Sequence, residues 1–375
     1  MVECPGRAGD TRHRFAVRES QRRALSATYH AGMKDRRTPT LEDVARVAGV
    51  SRATVSRVVN GVRNVDVELQ EAVRRAVAET GYAPNRAARS LVTRRAGSIA
   101  LVVSGAGDGD RDFTSSVFAD PFFGRVAAGV VEFLRPLGMH PLLMLADSDD
   151  VRAEVVAQLR QGAADGALLV STHGEDPLPE MCVRADVPAV LFARPATPIP
   201  ISYVDLAHAE GARLAAEYLL SRGCRRLATI TGPLDVPASQ DRLSGFRDAV
   251  ARHGQPYVPI VEGNFRQDGG EAAMERLLAE HPKVDGVFAA NDLMAQGALR
   301  VLRRHGREVP TDMAVVGFDD GPQALACDPP LTTVRQPVED MAAEMARLLL
   351  KHIEEPGHDP VSVIFDPKVV TRTSA

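Results

Sequence analysis

The sequence predicts an α/β protein: an N-terminal all-α helix-turn-helix domain ahead of a two-lobed core built on parallel sheets. Three observations predict it. Thr40 to Asn60 reads as two short amphipathic helices around a glycine turn, the pattern of a helix-turn-helix. From Ser98 onward, short apolar runs alternate with helical patterns, as in strand–helix units feeding a parallel sheet. That second part spans roughly 275 residues, more than one such sheet accommodates, so it divides into two lobes.

In the first unit, Thr40 is suited to cap a helix, with Asp43 closing a short capping box. Leu41, Val44, Ala45 and Ala48 then share a face, and Gly49 permits the left-handed stop. Ser51 caps the second helix, whose Val55, Val58 and Val59 form an apolar stripe. Its opposite face carries Arg52, Ala53, Thr54 and Arg57. A third helix runs from Val67 to Glu79, capped by Asp66 and stopped by Gly81, with Leu69, Val73 and Val77 on one face. A bare helical hairpin lacks both the third helix and the cationic face. Tyr82 to Pro84 is an extended step. Asn85 to Leu91 (NRAARSL) allows about two helical turns, too short to be stable alone, and propensity by itself favours a plain linker.

The core pattern continues with a strand over Ile99–Val103, a polar loop over Gly105–Ser116, and a helix reaching about Leu137. Strands follow at Pro141–Leu145, Gly166–Val170, Ala189–Phe192, Leu227–Thr231, Gly286–Ala289 and Ala314–Phe318. Helices are expected at Val151–Arg160, Gly211–Ser221, Leu243–His253, Gly270–Glu280, Leu293–His305 and Met341–Ile353.

The net charge of −4 conceals a split. Residues 1–96 hold 19 Lys and Arg against 10 Asp and Glu, a balance of +9; the remainder holds 26 against 39, a balance of −13. A basic front and an acidic back suggest that only the front meets a polyanion. Cys4, Cys182, Cys224 and Cys327 lie far apart, which argues against a structural zinc site or a disulfide framework and fits a cytoplasmic setting. No run has the length of a transmembrane helix. Residues 1–37 are Arg-rich without a secretory apolar stretch and are expected to be a disordered extension. MKDRRTPTLEDV, from Met33, reads as a natural beginning.

The stretches TLEDVARVAGVSRATVSRVVNG and GYAPNRAARSL closely resemble the DNA-binding head of LacI-type bacterial transcription regulators. The likeness continues through EYLLSRGCRRLATITGP, RLSGFRDAV, VFAANDLMAQGALRVL and VVGFDDGPQALACDPPLTTVRQP, covering about residues 38–372. It implies a periplasmic-binding-protein-like core and a domain plan of 38–84 for the head, 85–96 for a hinge helix and linker, and 97–375 for effector binding and dimerisation. Residues 85–91 would fold on DNA, pair with their copy in a homodimer and enter the minor groove. Leu91 would be the wedge between base steps, with Arg86 and Arg89 near phosphates. The DNA-contacting candidates are therefore Thr40, Ser51, Arg52, Ala53, Thr54, Arg57, Asn60, Asn85, Arg86, Arg89 and Leu91. The chain ends without leucine heptads, so a tetramer-forming tail is not expected.

Ligands of open parallel sheets sit beyond the carboxyl ends of strands. Asn291, Asp292, Asp319, Asp320 and Arg242 fall at such places, and Phe265 and the Phe122-Phe123 pair offer faces for the apolar side of a sugar ring. The resemblance singles out Arg242, Asn291, Asp319 and Phe265 as effector contacts, with Phe123 and Arg194 joining from the other lobe. Asp292 reads better as a helix cap, Asp320 as a turn residue and Phe122 as core. His208 stands where many relatives carry Asn, and Ala207 where many carry Asp, a departure near the lobe-crossing contacts. The expected function is a cytoplasmic repressor: a homodimer on a near-palindromic duplex operator, controlled by a small effector, a sugar by preference, with no cofactor, metal or membrane. A transport solute-binding protein is the alternative for the core alone. An enzyme using Asp319-Asp320 has no supporting nucleophile or phosphate motif.

Overall fold

The computed structural model describes residues 39–59, 65–82, 95–105, 113–171, 173–357 and 359–375. The chain divides into two compact units, residues 1–89 and 90–375. The hinge candidates Asn85, Arg86, Arg89 and Leu91, the helix-turn-helix residue Asn60 and the extension 1–37 lie outside the described residues.

The first unit holds α1 (Leu41–Ala48), α2 (Arg52–Val59) and α3 (Val67–Thr80). Thr40 and Asp43 form the capping box reciprocally, Thr40 N donating to Asp43 at 3.0 Å and Asp43 N to Thr40 Oγ1 at 3.3 Å. Gly49 takes φ 66°, the left-handed turn that sends α2 away from α1. Ser51 Oγ accepts from Thr54 N, and Asp66 caps α3. Val44, Val55, Val73 and Ala76 form the buried centre, packed by Leu41, Ala48, Val58 and Tyr82. Leu69 departs from its expected place: it is 41% exposed. The 3.6-residue period carries the buried face through Val73, Ala76 and Val77 and leaves Leu69 at its edge.

The second unit is two stacked α/β lobes. Lobe one contains β1 (Ser98–Ser104), α4 (Phe113–Ala119), α5 (Pro121–Leu134), β2 (His140–Ala146), α6 (Asp149–Arg160), β3 (Ala167–Ser171), α7 (Leu178–Arg184), β4 (Ala189–Phe192) and β5 (Ser202–Leu206). Lobe two contains α8 (His208–Ser221), β6 (Leu227–Thr231), α9 (Pro237–Arg252), β7 (Ile260–Glu262), α10 (Gln267–Glu280), β8 (Gly286–Ala289), α11 (Asp292–Arg304), β9 (Ala314–Asp319), α12 (Pro322–Ala326) and β10 (Thr332–Arg335). The chain then returns through α13 (Val338–Glu354) and β11 (Ser362–Phe365) to lobe one, and crosses again to β12 (Lys368–Val370). The sheets run β11-β5-β4-β3-β1-β2 and β12-β10-β9-β8-β6-β7. All pairs are parallel except β10 with β12, which is antiparallel and so departs from a purely parallel sheet.

Burial explains the strands. Ile99 to Val103 and Leu227 to Ile230 are covered on both faces, as parallel sheets require. The expected loop up to Ser116 is shorter, because Phe113 and Val117, one turn apart, are buried and anchor α4. Helix α9 starts earlier than expected, with Pro237 in its first turn, where its fixed φ favours the helix. The mixed strands β5, β11 and β12 carried too little apolar pattern to be expected.

Candidate functional site

In each sheet the strand order reverses between two neighbours, β1 and β3 in lobe one and β6 and β8 in lobe two. The carboxyl ends flanking these reversals line a cavity of about 150 Å³ between the lobes. Lobe one contributes Asp120, Phe122, Phe123, Phe192 and Ala193, and lobe two Arg242, Phe265, Asn291 and Asp319, with His208 and Gln336 from the crossovers. Of the six effector candidates, Phe123, Arg242, Phe265, Asn291 and Asp319 line this cavity. Arg194 does not: it is half-exposed, and its Nη2 pairs with Asp241 at 2.6 Å across the lobes. The positive φ of Ala193 (71°) turns the chain just before Arg194, so strand position alone could not place that side chain.

The polar groups are held from several directions. Arg242 is buried; its Nη2 donates to Gln336 Oε1 at 3.2 Å, its Nη1 donates to Ala290 O, and its guanidinium lies 3.7 Å from the Phe318 ring centroid. Asp319 Oδ1 stands 3.9 Å from Arg242 Nη2. Burial pushes the Asp319 carboxyl up to about 7, against the opposing pull of Arg242. Asn291 caps α11, accepting from Met294 N at 2.9 Å while donating to Phe265 O at 2.8 Å. That bond fixes the segment carrying Phe265, whose φ is 62°. With Ala193 and Asp319 (φ 108°), three cavity residues hold a conformation that side chains other than glycine rarely adopt, a concentration of strain typical of binding sites.

Asp292 is not the cap: Asn291 takes that place, and Asp292 is buried behind it, accepting from Thr333 Oγ1 and Gly321 N. Burial, then the Asp319 charge, raise its carboxyl well above the usual range. Asp320 has φ 53° and pairs with Arg335 and Arg372. Phe122 packs against the core yet also lines the cavity, edge-to-face with Phe192 at 5.2 Å. Asp120, Phe192 and Gln336 were not singled out beforehand. Asp120 caps α5, and burial raises its carboxyl. Gln336 follows a strand end directly, a signal the sequence held in VRQP. Arg125 on α5 also spans the lobes, donating to Asp319 O at 3.0 Å and Gln336 O at 3.1 Å.

Ser51, just ahead of α2, and Arg52, Ala53 and Arg57 on it are exposed, and Thr54 is partly covered. Arg52 pairs with Glu42 of α1 at 2.8 Å; both side chains are exposed, so the pair is weak and readily exchanged for another partner. Among the described residues, no group of three or more His, Cys, Asp or Glu is placed to hold a metal, and no helix is long and apolar enough to cross a membrane.

A helix-turn-helix unit followed by two Rossmann-like lobes around an interlobe cavity defines the class of ligand-binding transcription factors. Residues 40–85 match the bacterial regulatory proteins of the lacI family, and residues 216–375 the periplasmic binding protein-like domain. The chain is 45% identical to the HTH-type transcriptional regulator CelR of Thermobifida fusca, over 91% of this chain and 100% of that protein. It is 34% identical to a ribose operon repressor of Halalkalibacterium halodurans, over 89% and 96%. Among solved structures it resembles a CelR–cellobiose complex (42% identity, TM-score 0.70, 90% and 100% covered). It also resembles a lac repressor dimer bound to operator and an anti-inducer (26% identity, TM-score 0.77, 90% and 99% covered). The chain belongs to the LacI family of transcriptional regulators.

Proposed function

We propose that this regulator is a cytoplasmic homodimeric repressor whose affinity for a near-palindromic operator is set by a neutral sugar in the interlobe cavity. One observation carries the reading. Phe122, Phe123, Phe192 and Phe265 share the cavity with Asp120, Arg242, Asn291, Asp319 and Gln336. Rings offer flat apolar faces to the C–H side of a pyranose, while carboxylates and amides accept from its hydroxyls. The likeness to a regulator solved with cellobiose supports the sugar class. In this reading Arg242, Asn291, Asp319, Phe265 and Phe123 contact the sugar directly, and Arg194 acts outside the cavity through its pair with Asp241.

On the DNA side, Arg52 and Arg57 reach base edges or phosphates from the exposed face of α2 in the major groove. Ser51 and Thr54 add hydrogen bonds, and Ala53 offers only its methyl group. Thr40 caps α1, and the helix N-terminus it closes is set against a phosphate. Asn60, Asn85, Arg86, Arg89 and Leu91 retain the roles that the family resemblance implies. Sugar binding draws the lobes together and shifts the balance between operator-competent and incompetent states.

A thermal-shift panel tests the reading. Cellobiose, glucose and ribose are set against a sugar phosphate and a nucleobase. A neutral sugar at about 100 times its Kd should stabilise the protein by about 2.7 kcal/mol. A panel in which only the phosphate or the nucleobase stabilises the protein would reject the sugar site.

A further inference from the structure

Arg242 is the permanent cation among the cavity-lining residues, and each of its three nitrogens donates to a protein acceptor, leaving further N–H groups for a ligand. Nη1 donates to Ala290 O, Nη2 to Gln336 Oε1, and Nε to His208 Nδ1 at 3.3 Å. A guanidinium Nε–H can only donate. His208 Nδ1 must therefore accept, and the ring proton must sit on Nε2. That atom faces Asp205 Oδ1 at 3.2 Å. The imidazole is thus wedged between a donor and an acceptor, and only one neutral tautomer satisfies both.

The chain positions of these residues give the wedge a role. Asp205 is the penultimate residue of β5 in lobe one, and its Oδ1 also accepts from Leu206 N at 2.9 Å. His208 opens α8 just past the first crossover. Gln336 lies in the second crossover, between β10 and α13. A continuous relay, Asp205 to His208 to Arg242 to Gln336, joins the end of lobe one to the first two of the three crossovers through the cavity cation. We propose that His208, as the neutral Nε2–H tautomer, is the positioning residue that fixes Arg242 for effector binding and registers the two crossovers against each other. The effector part rests on the cavity being the sugar site; the tautomer and the relay do not.

The charged groups facing His208 are Asp205 from β5 and Arg242 and Asp241 from α9; Asp319, at the end of β9, lies beside Arg242. The Phe318 ring lies 5.9 Å away. A proton on Nδ1 would set N–H against N–H and break the relay at its centre. Burial, and then the Arg242 charge, hold the ring below the usual histidine range, against Asp205.

Two measurements on the full-length protein test this. The first is long-range proton–nitrogen NMR of the ring-labelled protein, which contains ten histidines. One ring should show an unprotonated Nδ1 and a protonated Nε2, hold that state from about pH 7.5 to 5.5 while exposed rings titrate, and vanish in His208→Asn. An Nδ1–H tautomer, or titration alongside the exposed rings, overturns the proposal. The second is cellobiose titration of two variants. Asparagine places an amide oxygen where Nδ1 stands; glutamine places its amide where Nε2 stands and removes the acceptor for Arg242. His208→Asn should bind within about threefold of the wild type, whereas His208→Gln should lose about tenfold or more, the scale of a hydrogen bond to a charged group. Equal affinity of the two variants overturns the positioning role. If the wild type does not bind cellobiose, that sugar is removed from the proposed function, and the NMR result alone decides the relay.

Discussion

Asp319 combines a left-handed backbone with a buried carboxyl, and its titration is readable in stability. Its ordinary value is 3.8 and its folded value about 7, so the folded state holds the proton more tightly than the unfolded one. The stability it contributes is fully present below pH 3.8 and is lost as pH rises through about 7. His208 has the opposite sign, being held below its ordinary 6.5; its contribution is present above that value and lost as pH falls. Urea midpoints compared between about pH 6.5 and 8 lie above the range in which His208 acts; Asp292, also raised by burial and by the Asp319 charge, moves in the same direction, so Asp319 is read from the difference between wild type and variant. The wild-type midpoint should fall across that window, and Asp319→Asn should flatten the fall; parallel slopes would show that Asp319 is already ionised at pH 6.5. At this scale the sequence exposed Asn291 and Asp319, because each follows an apolar strand within two residues, and Arg242 through the family resemblance, since it lies past a loop from its strand. It did not expose the bonds of His208, whose partners are 3, 34 and, through Arg242, 128 residues away.

Among elements, α8 and α9 place His208 against Arg242, and a close helix contact makes this possible. A Cβ on Gly245 would stand 2.0 Å from Ala209 O. Gly245 lies one turn beyond Arg242 on α9, and Ala209 follows His208 on α8. Gly245→Ala must push the helices apart, at about 1–3 kcal/mol for an overpacked interface. Chemical denaturation should show that loss, and the affinity for whichever sugar stabilises the protein should fall with it as the Arg242–His208 bond lengthens. Unchanged affinity in a measurably destabilised variant would mean that the helix contact does not set the cavity. The amphipathic helices were legible because their periods are local. Strands β5, β11 and β12 were not, since SYVDL, SVIF and KVV become strands only when a neighbour presents an open edge.

For the whole molecule, the charge split of +9 ahead of residue 97 and −13 behind it should make DNA affinity salt-dependent through residues 1–96 and not through the acidic core. Arg57→Ala should weaken operator binding by about 10- to 100-fold if it reads a base edge, leaving the affinity for whichever sugar stabilises the protein unchanged. A loss equal on operator and random duplexes, with a salt slope shallower by about one, would instead assign Arg57 to a phosphate. The sequence by itself determined the helix-turn-helix head, the alternating strands and helices, the need for two lobes and the family, because caps, turns and hydrophobic periods act over a few residues. Tertiary structure alone decided that Arg194 leaves the cavity for Asp241, that Phe122 and Asp120 enter it, and that His208 and Gln336 hold Arg242 from two crossovers. Those outcomes depend on which distant strand ends the twisted sheets bring within hydrogen-bonding distance, and no local pattern carries that information.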